Sequence, residues 1–146
     1  MELVEEIKKW VGREFDLAEF QVSEADILDF ALAVGETEPR FTDPKHPDFQ
    51  APPTFTAKFV SRRVLPEAFP AASARGFDAG KTVTAHGPVR AGSVLRARSK
   101  IADVYEKTGR SGSMVFIVHR MEFECGGEPV STVDWRMVRQ PKQDPS

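Results

Sequence analysis

One cysteine, one tyrosine and three histidines are all that this chain of 146 residues holds of those types. The lone Cys125 excludes an internal disulfide and any metal site built from several cysteines. The histidines, His46, His86 and His119, lack metal-ligand spacing, so neither a metal nor another cofactor is expected. Charge of one sign is missing too: 20 Lys and Arg against 22 Asp and Glu leave a formal net charge of −2. A nucleic-acid partner held by backbone electrostatics is therefore not expected. No apolar run approaches the ~18–20 residues needed to cross a bilayer, so no membrane partner is expected. The acidic opening Met1-Glu2-Leu3-Val4-Glu5-Glu6 does not read as a secretory signal. A reducing cytoplasm is the simplest location.

What is present suits one domain over residues 1–140, followed by a tail, 141–146, with little to anchor it. Ser23 opens the first clear helix. Its hydroxyl can cap the free amides, Asp26 can close a capping box, and Ile27, Phe30, Ala31 and Val34 recur at helical spacing before Gly35. The preceding stretch, Arg13 to Val22, reads as extended. From Glu36 to Pro53 the prolines allow no sustained period. A loop beyond about 12–15 residues is usually functional or disordered, and Phe41 and Phe49 favour an ordered one.

A second helix is expected over Thr54–Leu65, with Phe55, Phe59, Val60 and Val64 as its apolar face and Pro66 as its stop. An Ala-, Pro- and Gly-rich linker, Glu67 to Gly80, follows. Beyond it the pattern turns to strands. Leu95, Ala97, Ser99 and Ile101 alternate with Arg96, Arg98 and Lys100, which places the basic residues on a solvated face. Ser113 to Glu124 opens apolar on both faces, as a central strand does. Val130 to Arg139 alternates again, and Lys81 to Val89 is a fourth strand. Gly92, the stretch Lys107 to Arg110, and Gly126-Gly127 mark turns. The class is α+β, a buried helix against a curled antiparallel sheet.

Three motifs in this order resemble the MaoC-like hydratases and dehydratases, in the half-domain form of the FAS1-type dehydratase region. Gly35-Glu36-Thr37-Glu38-Pro39-Arg40-Phe41 resembles the catalytic loop Gly-Asp-x-Asn-Pro-x-His. Ala51-Pro52-Pro53-Thr54-Phe55 resembles the approach to the central helix, and Pro88-Val89-Arg90-Ala91-Gly92 the turn between two sheet strands. The resemblance implies a hot-dog fold, a central helix wrapped by a curled antiparallel sheet, and assembly with a second hot-dog chain as a homodimer or heterodimer.

The departures bear on function. The resemblance places Glu36 and Phe41 where the family has its aspartate and histidine, the pair that moves water across an acyl-thioester double bond. A phenylalanine neither accepts nor donates a proton, so no catalytic pair is intact. The longer Glu36 displaces its carboxylate by about an ångström, enough to cost ~10²-fold. Glu38 stands at the Asn position, and Arg40 follows the proline. The expectation is an accessory subunit that binds an acyl-CoA or acyl-carrier-protein thioester while a partner chain supplies the catalytic residues.

Pro52, Pro53, Thr54 and Phe55 are the candidate substrate-binding residues, with Thr54 capping a helix whose N-terminus polarises the thioester carbonyl. Lys58, Arg62 and Arg63 are candidates for coenzyme A phosphates. His46 is read as a surface residue, or as a stand-in for the missing histidine. His86 is read as a strand-end residue and His119 as an inward-facing histidine with its hydrogen bonds satisfied. Three other readings stay open: a self-sufficient hydratase using Glu36, a non-enzymatic acyl-CoA-binding module, and a hot-dog thioesterase.

Overall fold

The structure, a computed structural model, describes residues 2–71, 74–110 and 112–140. The tail expected to fray, 141–146, lies outside the described residues. Five strands, β1 (Glu14–Gln21), β2 (Arg75–Ala85), β3 (Val94–Gly109), β4 (Gly112–Cys125) and β5 (Glu128–Gln140), form one antiparallel sheet in the order β1-β3-β4-β5-β2. The α+β expectation holds.

Side-chain alternation explains the strands. On β3, Leu95, Ala97, Ser99 and Ile101 are buried on the concave face. Arg96, Arg98 and Lys100 face outward, near Glu19 (3.8 Å), Glu14 (3.5 Å) and Glu122 (2.7 Å). Their basic run is the solvated face of a strand. β4 is the middle strand, as its apolar composition implies. It buries Val115, Ile117, His119, Met121 and Phe123 on one face and half-buries Phe116 and Val118 on the other. Gly126 and Gly127, with φ of +57° and +85°, close the β4–β5 hairpin, a turn that needs two left-handed residues.

Two hydrophobic clusters fill the concave side. Helix α2 (Glu24–Ala33) contributes Ile27 to one, which also contains Val22, Phe55, Phe59, Phe123 and Val133. Its capping box is formed: Ser23 Oγ accepts from the Asp26 amide at 3.0 Å, and Asp26 Oδ2 accepts from the Ser23 amide at 3.4 Å. The helix shows less apolar surface to the core than its periodicity predicts, for Val34 is exposed. Helix α1 (Glu2–Lys8), which the sequence reading did not single out, buries Val4 and Ile7 in the other cluster beside Phe69, Ile101, Ile117 and Met137.

The segment expected to be a helix over Thr54–Leu65 departs most from expectation. Only a single 3-10 turn, Phe55–Lys58, forms, and Phe59 is already extended (φ −81°, ψ 141°). Contacts distant in sequence account for this. The Arg62 and Arg63 amides donate to Asp16 Oδ2 at 2.7 and 3.4 Å, and Ser61 Oγ donates to the Arg63 carbonyl at 2.6 Å. Those bonds satisfy backbone groups that a helix would have used internally. Phe59 meanwhile packs on Phe20 with ring centroids 4.4 Å apart. β2 also begins earlier than expected, at Arg75, with a register shift between Asp78 and Lys81.

Candidate functional site

Glu36 follows α2 directly. Gly35, at φ +74°, turns the chain, and the Glu36 amide donates to the Ala31 carbonyl at 2.9 Å. The Glu36 side chain is half-buried in an open recess of about 380 Å³, lined also by Leu28, Ala31, Leu32 and Thr42. Among the described residues lining it there is no histidine. The loop expected to be irregular contains one helical turn, α3 (Pro39–Thr42). This turn buries Phe41 to 3% exposure, with the Arg40 guanidinium carbon 4.6 Å from its ring centroid. Arg40 Nε also binds Glu38 Oε2 at 2.9 Å. Arg40 thus pairs with Glu38, while Phe41 serves as an apolar anchor for the loop.

His46 points into its own loop: Nδ1 accepts from the Asp48 amide at 3.0 Å. Asp48 in turn binds Arg90 at 2.8 Å, which holds its carboxyl below the usual carboxylate range, and Arg90 Nη1 donates to the Phe49 carbonyl at 3.1 Å. With the Ala51 amide on the Val89 carbonyl at 2.8 Å, these bonds tie the first loop to the Pro88–Gly92 turn. The Ala51–Val89 bond thereby joins two of the three sequence motifs directly.

Pro52, Pro53 and Phe55 line a second, small recess, closed on the sheet side by Ala85, Val130 and Ser131. Phe55 is also a core residue, in edge-to-face contact with Phe30 at 5.5 Å and Phe59 at 5.4 Å. Thr54 departs from its expected role. It is exposed, makes no side-chain capping bond, and precedes a turn of only four residues. A macrodipole needs a run of aligned peptides, so a helix-terminus polarisation of a thioester has no basis here. The polar group in this recess is instead Thr56, whose Oγ1 lies 2.6 Å from Ser131 Oγ, both buried. Its sequence signal is a hydroxyl directly after the Ala51–Phe55 motif, which reads as ordinary core.

Two of the three expected phosphate contacts, Lys58 and Arg63, are engaged otherwise. Lys58 sits over the rings of Phe55 and Phe59, at 5.2 and 5.5 Å, and within 3.8 Å of Asp26. Arg63 approaches Glu67 at 3.8 Å, and Arg62 is exposed. His86 does end a strand, with Nε2 2.9 Å from Thr132 Oγ1.

His119 faces inward as expected, at 1% exposure, and among the described residues no well-formed hydrogen bond reaches either ring nitrogen, the Val64 backbone being the nearest polar partner. It stands in one cross-strand row, Ile101–His119–Trp135–Lys81. Phe15 packs edge-on at 5.2 Å. Burial, opposed by the Val64 backbone, pushes its pKa down to about 4, so the imidazole is neutral near pH 7. Burial also lowers the pKa of neighbouring Lys81, whose Nζ donates to the Ala57 carbonyl at 2.9 Å. Among the described residues, no three His, Cys, Asp or Glu side chains gather as metal ligands would, and no helix is long and apolar enough to cross a membrane.

Residues 9–133 match the family model described as FAS1-like, dehydratase domain region. No curated protein matches the sequence. Among solved structures, the ChsH1-ChsH2 complex from Mycobacterium tuberculosis is similar at TM-score 0.68 and 22% identity, covering 99% of this chain and 93% of that one. The C-terminally truncated HadBC (3R-hydroxyacyl-ACP dehydratase) complex from the same organism matches at 0.68 and 25%, covering 88% and 96%. A MaoC-like dehydratase from Rhodospirillum rubrum matches at 0.62 and 24%, covering 90% and 94%. The curled sheet and its few helices are thus the α+β hot-dog fold, and the chain belongs to the FAS1-like dehydratase-region family, with the architecture of the MaoC-like dehydratases.

Proposed function

We propose that this chain is the accessory, acyl-thioester-binding subunit of an (R)-specific enoyl-thioester hydratase or 3-hydroxyacyl-thioester dehydratase. The catalytic aspartate and histidine come from a partner hot-dog chain. The observation that carries this reading is Phe41: it occupies the motif's histidine position, is buried beneath Arg40, and has no proton to exchange. Glu36 retains a carboxylate, but the recess around it contains no second proton carrier among its described lining residues. His46, the one histidine in that loop, has Nδ1 engaged by the Asp48 amide. The similarity to two structures that are themselves complexes, ChsH1-ChsH2 and HadBC, supports a paired assembly.

In this reading Pro52, Pro53 and Phe55, with Thr56 and Ser131 behind them, form the wall against which the thioester lies. The substrate is an acyl-CoA or acyl-carrier-protein thioester, and the chemistry needs no metal or other cofactor from this chain. Purification of the chain together with a hot-dog chain that carries the intact Gly-Asp-x-Asn-Pro-x-His motif tests the assignment. The complex is expected to hydrate a 2-enoyl-CoA where this chain alone does not. Failure of the two chains to associate, or equal activity of the partner in its absence, contradicts it.

A further inference from the structure

On the outward face of the sheet, Arg96, Arg98 and Arg120 each stand beside a carboxylate: Glu19 at 3.8 Å, Glu14 at 3.5 Å and Asp134 at 2.7 Å. Arg139 differs. Strand register aligns it with Val115 on β4 and Gly76 on β2, on the side of the sheet where Val115 is buried. Its Nη1 donates to the Val138 carbonyl at 3.2 Å, and its Nε is buried without a partner. Among the described residues no carboxylate pairs with it; Glu106 shares the row but stands on β3, beyond Val115. A Cβ at Gly76 would collide with the guanidinium, so a glycine on the edge strand leaves the room that Arg139 fills.

Arg139 borders an open recess of about 290 Å³, walled by Val64, Phe77, Trp135 and Met137, with Asp78 at its side. Small-molecule sites commonly have ~300–1,000 Å³, so this one suits a small ligand. Asp78 does not answer Arg139: its Oδ1 accepts from the Trp135 indole at 3.0 Å and from the Gly80 amide at 2.7 Å. Two further cations lie over the aromatic walls, Arg75 at 5.3 Å from the Phe77 centroid and Lys81 at 5.2 Å from that of Trp135. One carboxylate against three cations leaves the recess positive. A half-buried guanidinium without a counter-charge costs stability that a leucine or methionine here would not. An anion offsets that cost, and the planar guanidinium matches a carboxylate. The apolar walls favour an acid with a hydrocarbon or aromatic body.

We propose that the recess beside Arg139 binds a small organic carboxylate, its charged end on the guanidinium and its apolar body against Phe77, Trp135 and Met137. The site is separate from the Pro52–Phe55 wall. Arg139 lies eight residues along β5 from Ser131, about 26 Å at a rise of ~3.3 Å per residue. Binding here does not depend on the acyl-thioester reading.

NMR titration of the full chain with octanoate, octan-1-ol and inorganic phosphate tests this, followed at the Arg139 Nε–H and Trp135 Nε1–H resonances. Octanoate is expected to shift both saturably and to bind about 10–100-fold more tightly than octan-1-ol, the value of a charge-assisted hydrogen bond. Phosphate, which has no apolar body, is expected to leave both unmoved at the concentration where octanoate saturates. In Arg139→Met the preference for the acid over the alcohol disappears, read at Trp135, and Arg139→Lys keeps part of it. Resonances unmoved by octanoate in the wild-type chain, a readout that needs no variant to fold, would overturn the proposal. So would equal affinity for the alcohol, which makes the recess an apolar groove, or an equal response to phosphate, which makes Arg139 a general anion contact. Unchanged octanoate affinity in Arg139→Met would overturn it as well.

Discussion

Thr56 Oγ1 and Ser131 Oγ lie 2.6 Å apart, both buried, joining the turn after the Pro-Pro motif to the start of β5 across 75 residues of sequence. Each hydroxyl is the other's partner, so removing one strands the other. Thr56→Val should cost about 1–3 kcal/mol of unfolding free energy. The double variant Thr56→Val/Ser131→Ala should cost clearly less than the sum of the singles. Denaturant midpoints of the four proteins check this, and strict additivity would mean the bond contributes nothing specific.

His119 makes stability depend on pH in a defined direction. Its pKa is about 4 in the folded chain against an ordinary 6.5. Between those values the unfolded chain takes up the proton that the folded chain refuses. The stability is therefore complete above about 6.5 and falls as the pH drops toward 4, by on the order of 3 kcal/mol. The exposed carboxyls of Asp26, Asp48 and Asp78 are held below their ordinary range, so their own losses begin only under pH ~4. His119→Phe should remove the loss between pH 6.5 and 4 and raise stability at pH 7. Thermal unfolding of both proteins across that interval decides the matter, and parallel curves would contradict it.

Asp16 holds the end of the segment expected to be helical, through its bonds to the Arg62 and Arg63 amides. Asp16→Ala should release this stretch and speed amide exchange at Arg62 and Arg63, with little change in the β4 core. Charge-assisted bonds of this kind contribute ~1.5–3 kcal/mol when well formed. Hydrogen exchange resolved by residue measures the effect, and unchanged protection at Arg62 would assign the irregular backbone to some other cause.

The same residues mark the limit of what could be read in advance. Ser23 and Asp26 announced α2 because a capping box is a local device, complete within three residues. The alternation over Leu95–Ile101 and the two-sided apolar run in β4 announced the sheet, because period two states which face is wet. The helix over Thr54–Leu65 was misread because Phe55 and Phe59 share one side of a helix and also suit a 3-10 turn leading into extended chain. The deciding group, Asp16, is more than forty residues away. Of the candidate site, Phe41 and the Pro52–Phe55 wall were visible in the motifs. The poorly partnered nitrogens of His119 were not, since nothing local distinguishes a satisfied inward histidine from a poorly satisfied one.

The most direct measurement is the hydration of a short 2-enoyl-CoA by the purified chain alone at high concentration, read as loss of absorbance beside a Glu36→Gln control. With Phe41 buried in place of a histidine, the wild-type chain should show no turnover above the control. Turnover that disappears in Glu36→Gln would contradict the accessory-subunit account and make this chain a self-sufficient hydratase.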